Sequence, residues 1–283
     1  MNLTSMEQRY GVRDTGMETK ESHAIFLCLH SFVSALVSAS PRQAFRVFHS
    51  CLLLTPLLAA GFLDAAEPRP VTIVAFGDST TAPRGPLRVY ADILSNELPK
   101  RDVQAKIINA GVGGNHTGAA RKRFQRDVLD HKPDLVIIQF GINDAAVDVW
   151  KKPPSAQPRV ALKTYAANLR FFVKSIRAAE AEPILMTPNP LRWTPKLKQL
   201  YGKPPYNPDD ANGFNLLLQD YAAAVRAIAK EEQVPLIDID RAMKAKIDDL
   251  LLDGMHPNAA GHRLIADRLL PAVLQAIAPS GQN

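Results

Sequence analysis

The sequence predicts an α/β protein, a three-layer α/β/α sandwich on a five-stranded parallel sheet. Three observations carry this. From residue 67 onward, short runs of β-branched and apolar residues alternate with longer segments of helical period. The strand-like runs, residues 134–140 above all, are almost continuously apolar, as strands buried on both faces must be. Several of the runs end in turn residues, the first in Gly77-Asp78-Ser79.

Strand one is residues 71–76, where β-branched and apolar side chains lead straight into Gly77. A helix over 86–98 follows from Leu87, Tyr90, Ile93, Leu94 and Leu98 at helical spacing. Strand two, 105–109, opens into Ala110-Gly111-Val112-Gly113-Gly114, and a basic helix covers 117–130. Strand three is 134–140, followed by Gly141-Ile142-Asn143-Asp144 and a polar, proline-bearing loop to residue 158. The helix at 160–179 places Leu162, Tyr165, Leu169, Phe172, Val173 and Ile176 on one stripe. Strand four, 183–187, enters an irregular, proline-rich stretch at 188–210. Then come a helix over 211–232, strand five at 234–239, a short helix at 241–246, a loop carrying Asp253-Gly254-Met255-His256-Pro257, and a last helix at 258–277. Right-handed crossovers in such a chain favour a flavodoxin-like strand order, 2-1-3-4-5; the order is inferred from the fold type and not from spacing.

Residues 1–66 read as a leader ahead of a single domain at 67–283. Two apolar stretches lie in it, 24–39 and 47–63; the second has Arg42 and Arg46 before it and Asp64-Ala65-Ala66 after it. Basic flank, apolar run and small residues is the order of an export signal, and Pro56 and the modest length argue against a span of about 20 apolar residues. The expectation is export to periplasm or exterior; one hypothesis for the signal's late position is that roughly the first 35–45 residues come from a start codon placed too far upstream. The alternative is a membrane anchor formed by one or both stretches. Both cysteines, Cys28 and Cys51, fall in the leader, which excludes a disulfide framework, a thiolate metal site or a cysteine nucleophile in the domain. Cys51, after Phe48-His49-Ser50, is not a convincing lipidation signal. Leader charges cancel, so the formal net charge of +6 belongs to the domain; its basic residues lack aromatic interleaving, which speaks against nucleic acid.

The candidate chemistry follows from topology. Parallel strands point their carboxyl ends at one edge, where ligands of open sheets bind. That edge collects Ser79 after strand one, Gly113 and Gly114 after strand two, Asn143 after strand three, and Asp253 with His256 after strand five. A serine hydroxyl needs a base to become nucleophilic, histidine supplies one near neutral pH, and a carboxylate can hold its tautomer. A glycine N–H and an asparagine amide can both donate to a developing oxyanion. His116 and Asp144 lie beside this set without a catalytic role, and His131 and His262 read as structural. Asn115-His116-Thr117 matches a glycosylation acceptor only by accident of sequence.

These blocks resemble the GDSL, or SGNH, hydrolase family: Gly77-Asp78-Ser79-Thr80, then 109–114, then 141–144, then 253–257, in family order. The resemblance implies that Ser79 is the nucleophile, His256 the base and Asp253 its partner, with Ser79, Gly114 and Asn143 forming the oxyanion hole. Assigning Gly114 over Gly111 or Gly113 rests on counting from Asn109. Thr80 stands where the family name has leucine. The implied reaction is acyl transfer through an acyl-enzyme with neither metal nor cofactor, on small-molecule or polysaccharide esters, O-acetyl groups on carbohydrate first. A short-chain lipid esterase, lysophospholipase or thioesterase is the alternative, and a silent carbohydrate-binding protein a third. Arg192 and Trp193, in the 188–210 stretch, are candidate substrate contacts, because aromatic faces suit sugar rings and cations suit carboxylated ones. Membrane contact is expected only through an uncleaved leader.

Overall fold

The computed structural model describes residues 69–278; the expected leader, its two apolar stretches and both cysteines lie outside them. Five parallel strands, β1 (Val71–Gly77), β2 (Ala105–Gly111), β3 (Leu135–Gln139), β4 (Glu182–Met186) and β5 (Leu236–Ile237), form one sheet in the order β2-β1-β3-β4-β5. The expected architecture and order are both found.

Side-chain alternation along the strands divides the core in two. Val74, Phe76, Val136, Ile138 and Leu185 face one side, against α2 (Thr117–Asp127), α4 (Leu162–Ala178) and α6 (Leu218–Glu231). Ile73, Ala75, Leu135, Ile137, Ile184 and Met186 face the other, against α1 (Tyr90–Glu97), α7 (Ile239–Lys244) and α9 (Ala259–Ala276). Burying both faces is what made these strands read as unbroken apolar runs. On the first side Phe76 sits among Phe124, Phe140 and Phe172 with ring centroids 5.1–5.6 Å apart, tilted or edge-on as ring quadrupoles prefer.

Where the elements differ from expectation, a local cause is visible. α1 starts at Tyr90 and not at 86, because Leu87 returns its N–H to Arg84 and the Asp92 carboxylate accepts the Val89 N–H. β5 is two residues long. Pro235 has no N–H for the ladder, and Asp238 accepts the Arg241 N–H at 3.2 Å, starting α7 at Ile239. α6 begins at Leu218, because 211–217 is turn structure in which Asn215 hydrogen-bonds both the N–H and the carbonyl of Leu191. Three short helices were not expected. They are α3 (Ile142–Ala145), α5 (Pro195–Tyr201), capped by Thr194 with proline at its first position, and α8 (Ile247–Leu250).

Candidate active site

β1 delivers Ser79 to the carboxyl edge, and the loop before α9 brings His256 to it from 177 residues away. Ser79 Oγ lies 2.9 Å from His256 Nε2, and His256 Nδ1 lies 2.8 Å from Asp253 Oδ2. Burial acts to raise the Asp253 pKa, but it is outweighed by N–H donation from His256 and Met255 to Oδ1 and by the imidazole at Oδ2, so the carboxyl is held below its usual range. A carboxylate only accepts, so Nδ1 carries the ring hydrogen and Nε2 turns its lone pair to the serine hydroxyl. That is the tautomer in which an imidazole can take a proton from Ser79.

The turn holding Ser79 is braced by neighbours of three kinds. Asp78 Oδ1 accepts the Thr80 N–H at 2.9 Å and the Thr80 hydroxyl at 2.8 Å, and that buried hydroxyl also meets Gln139 of β3. The departure at Thr80 is therefore a side chain built into the polar floor of the site. Asn109 donates to the Thr81 carbonyl at 2.8 Å and accepts the Gly111 N–H at 2.9 Å, joining the ends of β1 and β2. Arg123, projecting from α2 with its side chain buried, donates to the carbonyls of Gly77 (2.9 Å) and Ala110 (2.8 Å) and to the Asn115 side chain (2.8 Å). One planar guanidinium thus ties together the nucleophile turn and the glycine loop.

Gly114 lies in that loop at φ 72°, a left-handed conformation that L side chains rarely adopt. Asn143 stands in α3, and Arg159 Nη1 donates to its Oδ1 at 2.9 Å. A guanidinium has no acceptor, so the atom facing it is the oxygen and the amide NH2 points the other way. That Nδ2 is buried and has no partner within hydrogen-bonding distance among the described residues, while the Asn143 side chain still acts to lower the pKa of the neighbouring Asp78. Arg159 is fixed in turn by the buried Asp148, which accepts its Nε at 3.0 Å and Nη2 at 2.7 Å.

Two further carboxyls lie under the site. Burial pushes Asp144 up to about 7 despite donation from the Thr117 N–H and hydroxyl, and burial also raises Asp78. His262 is fully buried, and its Nδ1 accepts the Tyr90 N–H.

Arg192 and Trp193 are engaged internally. The Arg192 guanidinium donates to the carbonyls of Leu251 (2.7 Å) and Leu252 (2.8 Å), and its backbone N–H to Gly254 (2.9 Å), so it holds the loop bearing Asp253 and His256. Gly254, at φ 86°, admits the Arg192 carbonyl into space that a Cβ would fill. The Trp193 ring stacks on Phe214 with centroids 4.3 Å apart, and its N–H goes to the Asp210 carbonyl. Sequence reasoning missed Arg123, Arg159 and Asp148. Asp127, four residues after Arg123 on a helix, was a readable pairing signal; nothing local links Arg159 to Asn143.

Beside Asn143 and Met255 is a recess of about 30 Å³, walled by Tyr201, Tyr206, Phe214 and Leu218. Fold and geometry together fit an ester hydrolase: a hydroxyl and a base oriented by a carboxylate meet on one sheet edge. The family model for the GDSL-like lipase/acylhydrolase family matches residues 75–264. The chain is 34% identical over 175 residues to the uncharacterized lipoprotein YqeF of Bacillus subtilis, covering 59% of this chain and 69% of that one. It is 26% identical over 215 residues to an acetylxylan esterase of Geobacillus stearothermophilus, covering 73% and 87%. The crystal structure of a lipase/acylhydrolase from Enterococcus faecalis shares the fold, with a TM-score of 0.58 at 24% identity over 75% of this chain and all of that one. The chain belongs to the GDSL-like lipase/acylhydrolase family and is an ester hydrolase.

Proposed function

We propose that the protein removes O-acetyl groups from carbohydrate through an acyl-enzyme on Ser79. Ser79 Oγ attacks the ester carbonyl as its proton passes to His256 Nε2. The carbonyl oxygen gains charge facing the N–H groups of Ser79 and Gly114 and the amide of Asn143. His256 then protonates the departing sugar oxygen, leaving acetyl on Ser79. Water attacks that ester, giving its proton to His256, and acetate leaves as the serine hydroxyl re-forms. Asp253 stays ionised throughout and steadies the imidazolium.

The observation that carries the acyl half is the recess beside Asn143. At about 30 Å³ it admits a methyl-sized group, and beside the polar Asn143 and Arg159 its lining is mostly aromatic and aliphatic. Each methylene that finds no apolar surface forfeits about 0.8 kcal/mol of transfer free energy, so long acyl groups gain nothing here. The carbohydrate half is supported by the relative named acetylxylan esterase. An exported location is supported by the lipoprotein relative and by the apolar stretches at 24–39 and 47–63.

The test is kcat/KM for p-nitrophenyl esters from acetate to dodecanoate, together with acetate release from acetylated xylan, mannan and pectin. The expected maximum is at acetate, with acetate released from at least one polymer. A maximum at octanoate or beyond would put the lipid-esterase reading ahead.

A further inference from the structure

The loop from α3 to α4 builds a second feature beside the proposed oxyanion donors. An open groove of about 660 Å³ runs from Gly114 past His116 and Arg159 to Gln157 and Trp150. This volume falls within the usual range for small-molecule sites. Trp150 is 44% exposed, in contrast to Trp193, the other tryptophan of the chain, whose ring is stacked on Phe214. We infer that this groove is the glycosyl subsite, with Trp150 as the platform on which a sugar ring of the acetylated chain stacks. The inference rests on the acetyl-carbohydrate reading above and adds to it where the alcohol side of the ester lies.

Three properties favour a sugar over an acyl chain or a highly charged ligand. The platform is rigid. The Asp148 carbonyl accepts the N–H groups of Lys151 (3.1 Å) and Ser155 (3.2 Å), the Asp148 carboxylate is held by Arg159, and Val147 bridges to Pro158. An exposed aromatic on so braced a loop is ordered before any ligand arrives, which lowers the entropy cost of binding. The groove is polar apart from Trp150 and Pro158, so it offers no continuous apolar wall to a hydrocarbon chain. Its charge is small: Arg159 and Lys151 share the carboxylate of Asp148, the latter at 2.7 Å, which leaves one net positive charge. Burial, then the nearby charges of Arg159 and Lys122, lower the His116 pKa and favour an uncharged ring that can exchange hydrogen bonds with hydroxyls. The groove reaches Gly114, one of the proposed oxyanion donors, and this is what links a ring seated on Trp150 to an ester at Ser79.

The test measures binding apart from turnover. In the Ser79→Ala background, calorimetric Kd values are taken for oligosaccharides of acetylated xylan, mannan and pectin. Adding Trp150→Ala should weaken the tightest of these by about tenfold, the order expected for losing one aromatic stacking surface. Trp150→Phe, which keeps a flat ring, should stay within about threefold of the parent. The same Kd with and without Trp150, or no binding of any of the three by the parent, overturns the inference. Acetate release by the unmodified enzyme is scored separately. If acetate is released while Trp150→Ala leaves Kd unchanged, the groove assignment alone falls; if no polymer yields acetate, the acetyl-carbohydrate reading falls.

Discussion

At the scale of single residues, the roles proposed for Ser79 and Asn143 differ in what their loss removes. Ser79→Ala should cost on the order of 10⁶ in turnover with the fold intact. Retention of roughly a tenth of the parental rate toward p-nitrophenyl acetate would falsify the nucleophile assignment. Asn143→Ala should lower kcat by about 10²–10³ with KM nearly unchanged, because its amide meets charge that exists only in the transition state. A KM effect with kcat preserved would mean that Asn143 binds ground-state ester. Asp144 gives a pH test. Its pKa of about 7 lies above the ordinary carboxylate value, so the folded chain holds this proton more tightly than the unfolded one. The stabilisation is therefore complete below the unfolded value and is lost as pH rises through about 7. Asp144→Asn keeps an oxygen for the two bonds from Thr117 and removes the charge, so the fall in Tm between pH 5 and pH 8.5 should shrink. An equal fall in both proteins sinks the idea.

Arg123 and Arg192 act at the scale of elements, each a guanidinium that holds loop carbonyls in place. Arg123 links the ends of β1 and β2 and the start of α2 through three acceptors. Arg123→Ala removes these bonds and the pairing with Asp127 from a largely buried position and should destabilise the fold by about 3 kcal/mol. Arg123→Lys should not restore the loss, because an ammonium cannot span the same acceptors in one plane; full recovery of Tm by lysine would refute this account. Arg192 holds the loop that carries both Asp253 and His256. Arg192→Ala should lower kcat about tenfold toward p-nitrophenyl acetate, since small displacements of a catalytic base are costly. If only KM for carboxylated sugars changed, Arg192 would be a substrate contact. The strands and long helices were legible in the sequence because period 2 and period 3.6 are local signals. The brevity of β5 was not, because Val234-Pro235-Leu236-Ile237 has strand composition while the capping bond of Asp238 competes for the next residues.

For the whole molecule, both faces of the sheet are closed by helices within the described residues, and the family match begins at residue 75. A chain starting at residue 67 should therefore fold alone and keep kcat/KM within about twofold of the full chain, as expected for a domain with its own core. Loss of cooperative melting in that shorter chain would show that residues 1–66 contribute to the fold.

The sequence alone determined the α/β class and the five strands, and it gathered Ser79, Gly114, Asn143, Asp253 and His256 on one edge as candidates. Strand periodicity is written in neighbouring residues, and parallel topology sends every loop after a strand to one edge. Distance in space decided the rest. Which way the Asn143 amide faces depends on Arg159, sixteen positions away on another loop. Whether a tryptophan is platform or packing depends on what folds against it, and composition marked Trp150 and Trp193 alike. Phe214 and the Asp210 carbonyl take up Trp193, while the braced loop at 146–160 leaves Trp150 at the surface. Local pattern assigns residues to elements; burial and hydrogen-bond partners arise only when those elements pack.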